Sequence, residues 1–224
     1  MSSEEPVDYG VKSRAQKAPE GTGSLFVISA PSGAGKTSLC KEVIDFFPSL
    51  RQSVSYTTRP MRPGEVDGID YHFVSAETFA AMVDSGAFAE WAEVHGNRYG
   101  TALATLTEAM AQGEDVLLDI DCQGADQLRK TCRQAVFIFI LPPSLDELMR
   151  RLQGRQTDSE EVIRRRLANA RHEIAQVPLY DFVVINDHFA TALKELKAII
   201  LAERCRVRRH PGLAEEMLAQ ELPL

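Results

Sequence analysis

Ala30-Pro31-Ser32-Gly33-Ala34-Gly35-Lys36-Thr37 follows the apolar run Leu25-Phe26-Val27-Ile28, with Ser29 between, and precedes Ser38-Leu39-Cys40-Lys41-Glu42-Val43-Ile44. The first run is β-branched and aromatic enough for a buried strand, and the third has apolar residues at helical spacing. Strand, glycine-rich loop and helix thus come in the order that a nucleotide phosphate requires. Gly33 and Gly35 let the backbone curl until several N–H groups point at one anion, and the positive end of the helix adds to that field. Lys36 reaches the outer phosphates, and the Thr37 hydroxyl is a ligand for Mg²⁺. Ala30 stands where the usual pattern has glycine, the smallest change available. The stretch predicts a site for a nucleoside triphosphate.

Working outward, apolar strand candidates recur at 25–30, 116–120, 136–141 and 182–185, each followed by a helical pattern, at 38–47, 123–131, 144–152 and 191–206. This alternation predicts an α/β fold, a mainly parallel sheet with helices on both faces. Residues 53–101 break the rhythm. Short runs at 53–57, 71–74 and 88–94, with turns at Arg62-Pro63-Gly64 and Asp67-Gly68, predict a small antiparallel lobe inserted into the core. A second insertion, about 150–171, is dense in charge, with a helix starting at Ser159-Glu160-Glu161. Residues 1–23 are polar and aperiodic and read as a flexible leader; a tail of 209–224 carries a short helix at 214–222.

The chain has 224 residues, 44% hydrophobic and 25% charged, enough for one substantial domain with inserted lobes. Its net charge of −7 argues against a general binder of nucleic acid or of membrane surfaces. There is no apolar stretch long enough to cross a membrane and no secretory signal, and the four cysteines form no C-x-x-C pair. A reduced, cytoplasmic protein is the expectation. No face identifies itself as an interface, so a homo-oligomer stays open.

The inserted lobe narrows the chemistry. Arg59 and Arg62 sit three residues apart on a proline-stiffened turn, and two guanidinium forks suit a dianionic phosphate. Tyr71 and Tyr99 offer hydroxyl donors to the same group. Glu90 lies in an apolar segment, and Asp119-Ile120-Asp121 closes a buried strand at the end that faces the ligand crevice. Guanine presents a ring N–H and an exocyclic amine side by side, which one carboxylate accepts together. Adenine would leave that buried charge unpaired, a mismatch worth up to a factor of ~10⁴. One of Asp119 and Asp121 could instead hold Mg²⁺ through water.

These motifs, from A-P-S-G-A-G-K-T through S-V-S-Y-T-T-R-P-M-R-P-G-E-V-D-G, D-Y-H-F-V, F-A-E-W-A-E-V-H-G-N-R-Y-G-T, L-L-D-I-D-C-Q-G-A, F-I-L-P-P-S, R-R-L-Q-G-R and V-I-N-D, resemble the bacterial guanylate kinases from residue 25 to about 208. The resemblance implies a P-loop nucleoside monophosphate kinase: a core, a GMP-binding lobe and a mobile lid, with the whole domain at 24–208. It implies that Ser55, Glu90, Thr101 and Asp121 meet guanine, and that Arg59, Arg62, Tyr71 and Tyr99 hold the GMP phosphate. ATP would lie on Ala30 to Thr37 with Asn186 on the adenine side, and Mg²⁺ with Thr37 and Asp119. Transfer of a phosphoryl group needs positive charge arriving as the site closes. Arg151, Arg155 and Arg166 are the candidates, the last two favoured by the resemblance, whereas Arg164 and Arg165 read as a solvated helix face. Arg98 stands where a tyrosine is expected, and Gln156 where a glycine is. The rivals are a kinase for another nucleoside monophosphate, and a silent interaction module, which is expected to lack a working phosphate loop.

Overall fold

The apolar run ahead of the phosphate loop becomes the middle strand of a five-stranded sheet. The structure, a computed structural model, describes residues 23–94, 96–154 and 160–220; all of the leader but Gly23, together with Arg155 and Gln156, lies outside the described residues. The elements in order are β1 (Leu25–Ser29), α1 (Lys36–Phe46), β2 (Leu50–Gln52), β3 (Tyr56–Thr57), β4 (His72–Phe73), α2 (Ala76–Asp84), β5 (Phe88–Val94), β6 (Asn97–Ala102) and α3 (Leu103–Ala111). There follow β7 (Asp115–Asp119), α4 (Cys122–Thr131), β8 (Val136–Leu141), α5 (Leu145–Gln153), α6 (Glu160–Ile174), β9 (Phe182–Ile185), α7 (Phe189–Arg204) and α8 (Leu213–Leu218).

The core sheet has the order β2-β7-β1-β8-β9, and every pairing in it is parallel. Side chains on β1 alternate between two layers. Phe26 and Ile28 pack with Leu39 and Val43 of α1 and Leu196 and Ile200 of α7; Leu25 and Val27 pack with Leu106 of α3 and Leu128 of α4. Helices on both faces explain why these strands read as unbroken apolar runs rather than alternating ones. Each such side chain, fully withdrawn from water, contributes roughly 1.5–3 kcal/mol. The strand register sets Ile28 beside Asp119, which brings the acidic end of β7 to the start of the phosphate loop.

The inserted lobe corrects an expectation. Its sheet runs β4-β3-β6-β5, and β3 is antiparallel to β6 but parallel to β4. The reason is the connection 58–71, a long crossover rather than a tight hairpin, and a crossover returns the chain in the same direction. The sequence reading also passed over β2, α2, β6 and α3. Of these, β6 reads as a loop because Asn97-Arg98-Tyr99-Gly100 is polar and glycine-broken, and β2 is an edge strand too short to show a period. The second insertion is helical on both sides: α5 and α6 pack through Leu148, Leu152 and Ala170. Of the tail helix expected at 214–222, the described residues form a helix at Leu213–Leu218 that ends before 220, and 221–222 lie outside them. Among the described residues no helix is long and apolar enough to cross a membrane.

Candidate active site

The C-terminal ends of β1 and β7 open onto a cleft of about 470 Å³ whose other wall is the inserted lobe. Ala30 to Gly33, Gly35, Lys36 and Thr37 line one side, Ser55, Tyr71, Glu90 and Tyr99 the other, and Asp119 and Asp121 the floor. The loop takes the shape its glycines permit. Gly33 and Gly35 have φ of 97° and 91°, where side chains are strained, and Ala34 N–H closes a turn onto the Pro31 carbonyl at 3.0 Å. Gly35 caps α1, so the N-terminus of that helix points at the cleft.

Lys36 opens α1. Its ammonium donates to the Ile120 carbonyl at 3.1 Å and pairs with Asp119. Burial alone would lower its pKa; the charge and hydrogen bond of Asp119 outweigh that and raise it, so the cation is secure. Asn186, 5% exposed, lies under the loop, where its side-chain amide donates to the Ala34 carbonyl at 2.7 Å. A Cβ on Gly35 would collide with that same amide. The residue expected on the adenine side is therefore also a brace for the loop's backbone.

Across the cleft Glu90 is only 4% exposed and accepts a 2.5 Å bond from the Thr101 hydroxyl. Burial pushes its carboxyl up to about 7; the Thr101 bond works against that rise and the charge of Asp121 adds to it. Gly124 is what admits it, since a Cβ there would strike the Glu90 carboxylate. Asp121 caps α4 by accepting from Gly124 N–H at 2.9 Å and still lines the cleft. Tyr71 and Tyr99 stack edge to face at 5.9 Å. The Arg59 guanidinium lies 5.4 Å from the centre of the Tyr71 ring, whereas Arg62 is exposed on the turn.

The lid residues are less gathered. Arg151 donates to Glu147 at 2.7 Å and to the Asn186 carbonyl at 3.0 Å. Arg166 is half-buried on α6, Arg164 pairs with Glu160 at 3.3 Å on the exposed face, and Arg155 lies outside the described residues. The sequence reading missed Glu173, a half-buried residue of α6 that lines the cleft two helical turns beyond Arg166 on the same helix face. Its burial pushes its carboxyl to about 7, with the Lys36 charge opposing and the Asp121 charge assisting. The spacing from Arg166 was the available signal.

The arrangement offers backbone N–H groups and a cation for a polyphosphate, oxygen donors in Thr37 and Asp119, and a buried carboxylate that lines the cleft from the lobe. Known proteins match most of the chain. The family model described as Guanylate kinase matches residues 22–203. The guanylate kinase of Syntrophotalea carbinolica is 64% identical over 84% of this chain and 89% of its own. That of Geobacter sulfurreducens is 55% identical over 89% of this chain and 98% of its own. The crystal structure of the guanylate kinase from Anaplasma phagocytophilum superposes with a TM-score of 0.73 at 33% identity, over 89% of this chain and 95% of that one. By residues, fold and relatives alike, the chain belongs to the guanylate kinase family.

Proposed function

We propose that this chain transfers the γ-phosphoryl group of ATP to GMP, giving ADP and GDP. The observation that carries the reading is one cleft with a phosphate loop on one wall and a buried, threonine-bonded carboxylate on the other. ATP lies along residues 30–37, with Lys36 leaving Asp119 for the outer phosphates. Guanine offers its two adjacent N–H donors to Glu90, with Ser55, Thr101 and Asp121 around it, and the GMP phosphate sits among Arg59, Arg62, Tyr71 and Tyr99. The attacking phosphate is already anionic, so no strong general base is called for.

The family uses ATP with a divalent metal, and the hard oxygens of Thr37 and Asp119 fit Mg²⁺, which takes few protein ligands and completes its shell with phosphate and water. Bound there with ATP, it would neutralise charge on the transferring group. Lys36 and the lid arginines Arg151, Arg155 and Arg166 supply the remaining positive charge as water is excluded. We assign residues 24–208 to the kinase domain, about 53–101 to GMP and about 150–171 to the lid. We further propose a cytoplasmic location and no nucleic-acid partner. A coupled assay tests the reading: ADP release should require GMP, and Lys36→Ala should lower turnover by ~10³ or more while the melting curve is kept. Turnover unchanged by that substitution would refute the role of the loop.

A further inference from the structure

The turn that carries the two arginines is organised by a single carboxylate, Glu65, that the sequence motifs left without a task. Arg59 Nη1 and Nη2 donate to Glu65 Oε2 and Oε1 at 3.0 and 2.7 Å, and Nη1 donates a second time, to the Pro60 carbonyl, at 2.9 Å. The same carboxylate accepts Arg62 N–H at 2.8 Å, and Glu65 N–H returns to the Arg62 carbonyl at 3.1 Å. A guanidinium has five N–H donors fixed in one plane. Here Glu65 and Pro60 take both donors of Nη1 and one of Nη2, so the edge left toward a ligand is Nε–Nη2, two parallel N–H bonds whose spacing matches two oxygens of a phosphate, with the Tyr99 hydroxyl bonded to the same guanidinium. The Tyr71 and Phe73 rings lie 5.4 and 5.6 Å from the guanidinium carbon and restrict its tilt.

We infer that Glu65 is a positioning residue for the acceptor phosphate, holding the far end of Arg59 and the backbone of Arg62 so that the Nε–Nη2 edge is presented to GMP. The inference rests on the ATP:GMP reading. The alternative role for a carboxylate on this fork is that of a phosphate mimic which GMP must displace. The geometry favours the brace. Glu65 takes the Nη1–Nη2 end and leaves the side edge, and its third bond ties it to the turn rather than to the cleft. Its bonds to Arg59 and then to Arg62 N–H hold its carboxyl below the ordinary range, so it stays ionised wherever the enzyme would work.

The brace and the mimic predict opposite signs. In Glu65→Gln the amide keeps one acceptor oxygen and turns an NH₂ toward the guanidinium. The KM for GMP should rise by about 10- to 100-fold, the scale of a lost hydrogen bond to a charged group. The KM for ATP and the melting curve should not move, and kcat should change far less than KM. Glu65→Asp, which keeps the charge on a shorter arm, should recover part of the loss. A KM for GMP that stays or falls in Glu65→Gln overturns the inference, as does an equal rise in both KM values. Wild-type protein is the reference: if it does not phosphorylate GMP at all, the parent reading fails, and only its turnover with GMP makes the variant a test of Glu65.

Discussion

The phosphate loop and the arginine turn are assigned the same task, gathering N–H donors around phosphate, and they are built in opposite ways. The loop uses backbone donors, shaped by Gly33 and Gly35 and seated on β1, whose five residues are all buried. The turn uses side-chain donors on the connection between two two-residue strands, held by Glu65 and by aromatic faces. A backbone site is as rigid as the sheet beneath it. A side-chain site is as rigid as its partners, and a carboxylate partner can be removed by one substitution. The same contrast separates Lys36, steadied by the core carboxylate Asp119, from Glu90, which is held by the Thr101 hydroxyl on the neighbouring strand.

The largest effect expected from breaking the acceptor side alone comes from Glu90→Gln. An amide cannot accept both guanine donors, so kcat/KM for GMP should fall by ~10²–10⁴ with the KM for ATP unchanged. Steady-state kinetics with each substrate varied in turn checks this, and an equal loss on both substrates would erase the division between the two walls. Next comes the donor side's brace. Asn186→Ala leaves the buried Ala34 carbonyl without its donor and should cost about 1–3 kcal/mol of stability, read by urea denaturation. ATP binding should weaken in that variant and GMP binding should not.

The smallest effect is set by pH. In the empty protein Glu90 is pushed from its ordinary 4.5 up to about 7 by burial. Below that pH it carries a proton and turns a donor toward guanine's donors. The KM for GMP should therefore rise as pH falls below about 7, by up to about tenfold per pH unit. The linked stability has the opposite sign. A carboxyl raised on folding favours the fold below its unfolded value, near 4.5, and that contribution is lost as pH rises through about 7. Melting temperatures of the empty protein between pH 5 and 8 give the second arm. A KM for GMP that is flat from pH 8 to 6 would remove Glu90 from contact with the base.

The same contrast explains what could be read in advance. The core strand at 136–141 was legible because burial on both faces leaves a long apolar run; the edge strand at 182–185, where only Val184 is buried, was legible because its four residues are apolar all the same. The loop was legible because a backbone site demands glycine, lysine and threonine at fixed offsets. The lobe was read in residue type but not in path. Its strands β3 and β4 are too short to carry a period, and their parallel pairing depends on a crossover whose return only folding reveals. Partners distant in sequence were invisible for a related reason: nothing near Asn186 announces Ala34, 152 residues away. Glu173 and Glu65 drew no assignment from the sequence, where each is one acid among nearby charges. What distinguishes them is the cleft in one case and the guanidinium fork in the other.

The central claim is that the buried carboxylate on the lobe selects the acceptor for a phosphoryl group held on the loop. The most direct measurement is coupled ADP release from ATP and Mg²⁺ with GMP, AMP, UMP and dTMP offered one at a time to the wild-type protein. Turnover with GMP is expected, with kcat/KM for AMP lower by at least ~10². Equal turnover with AMP, or a preference for it, would contradict the account.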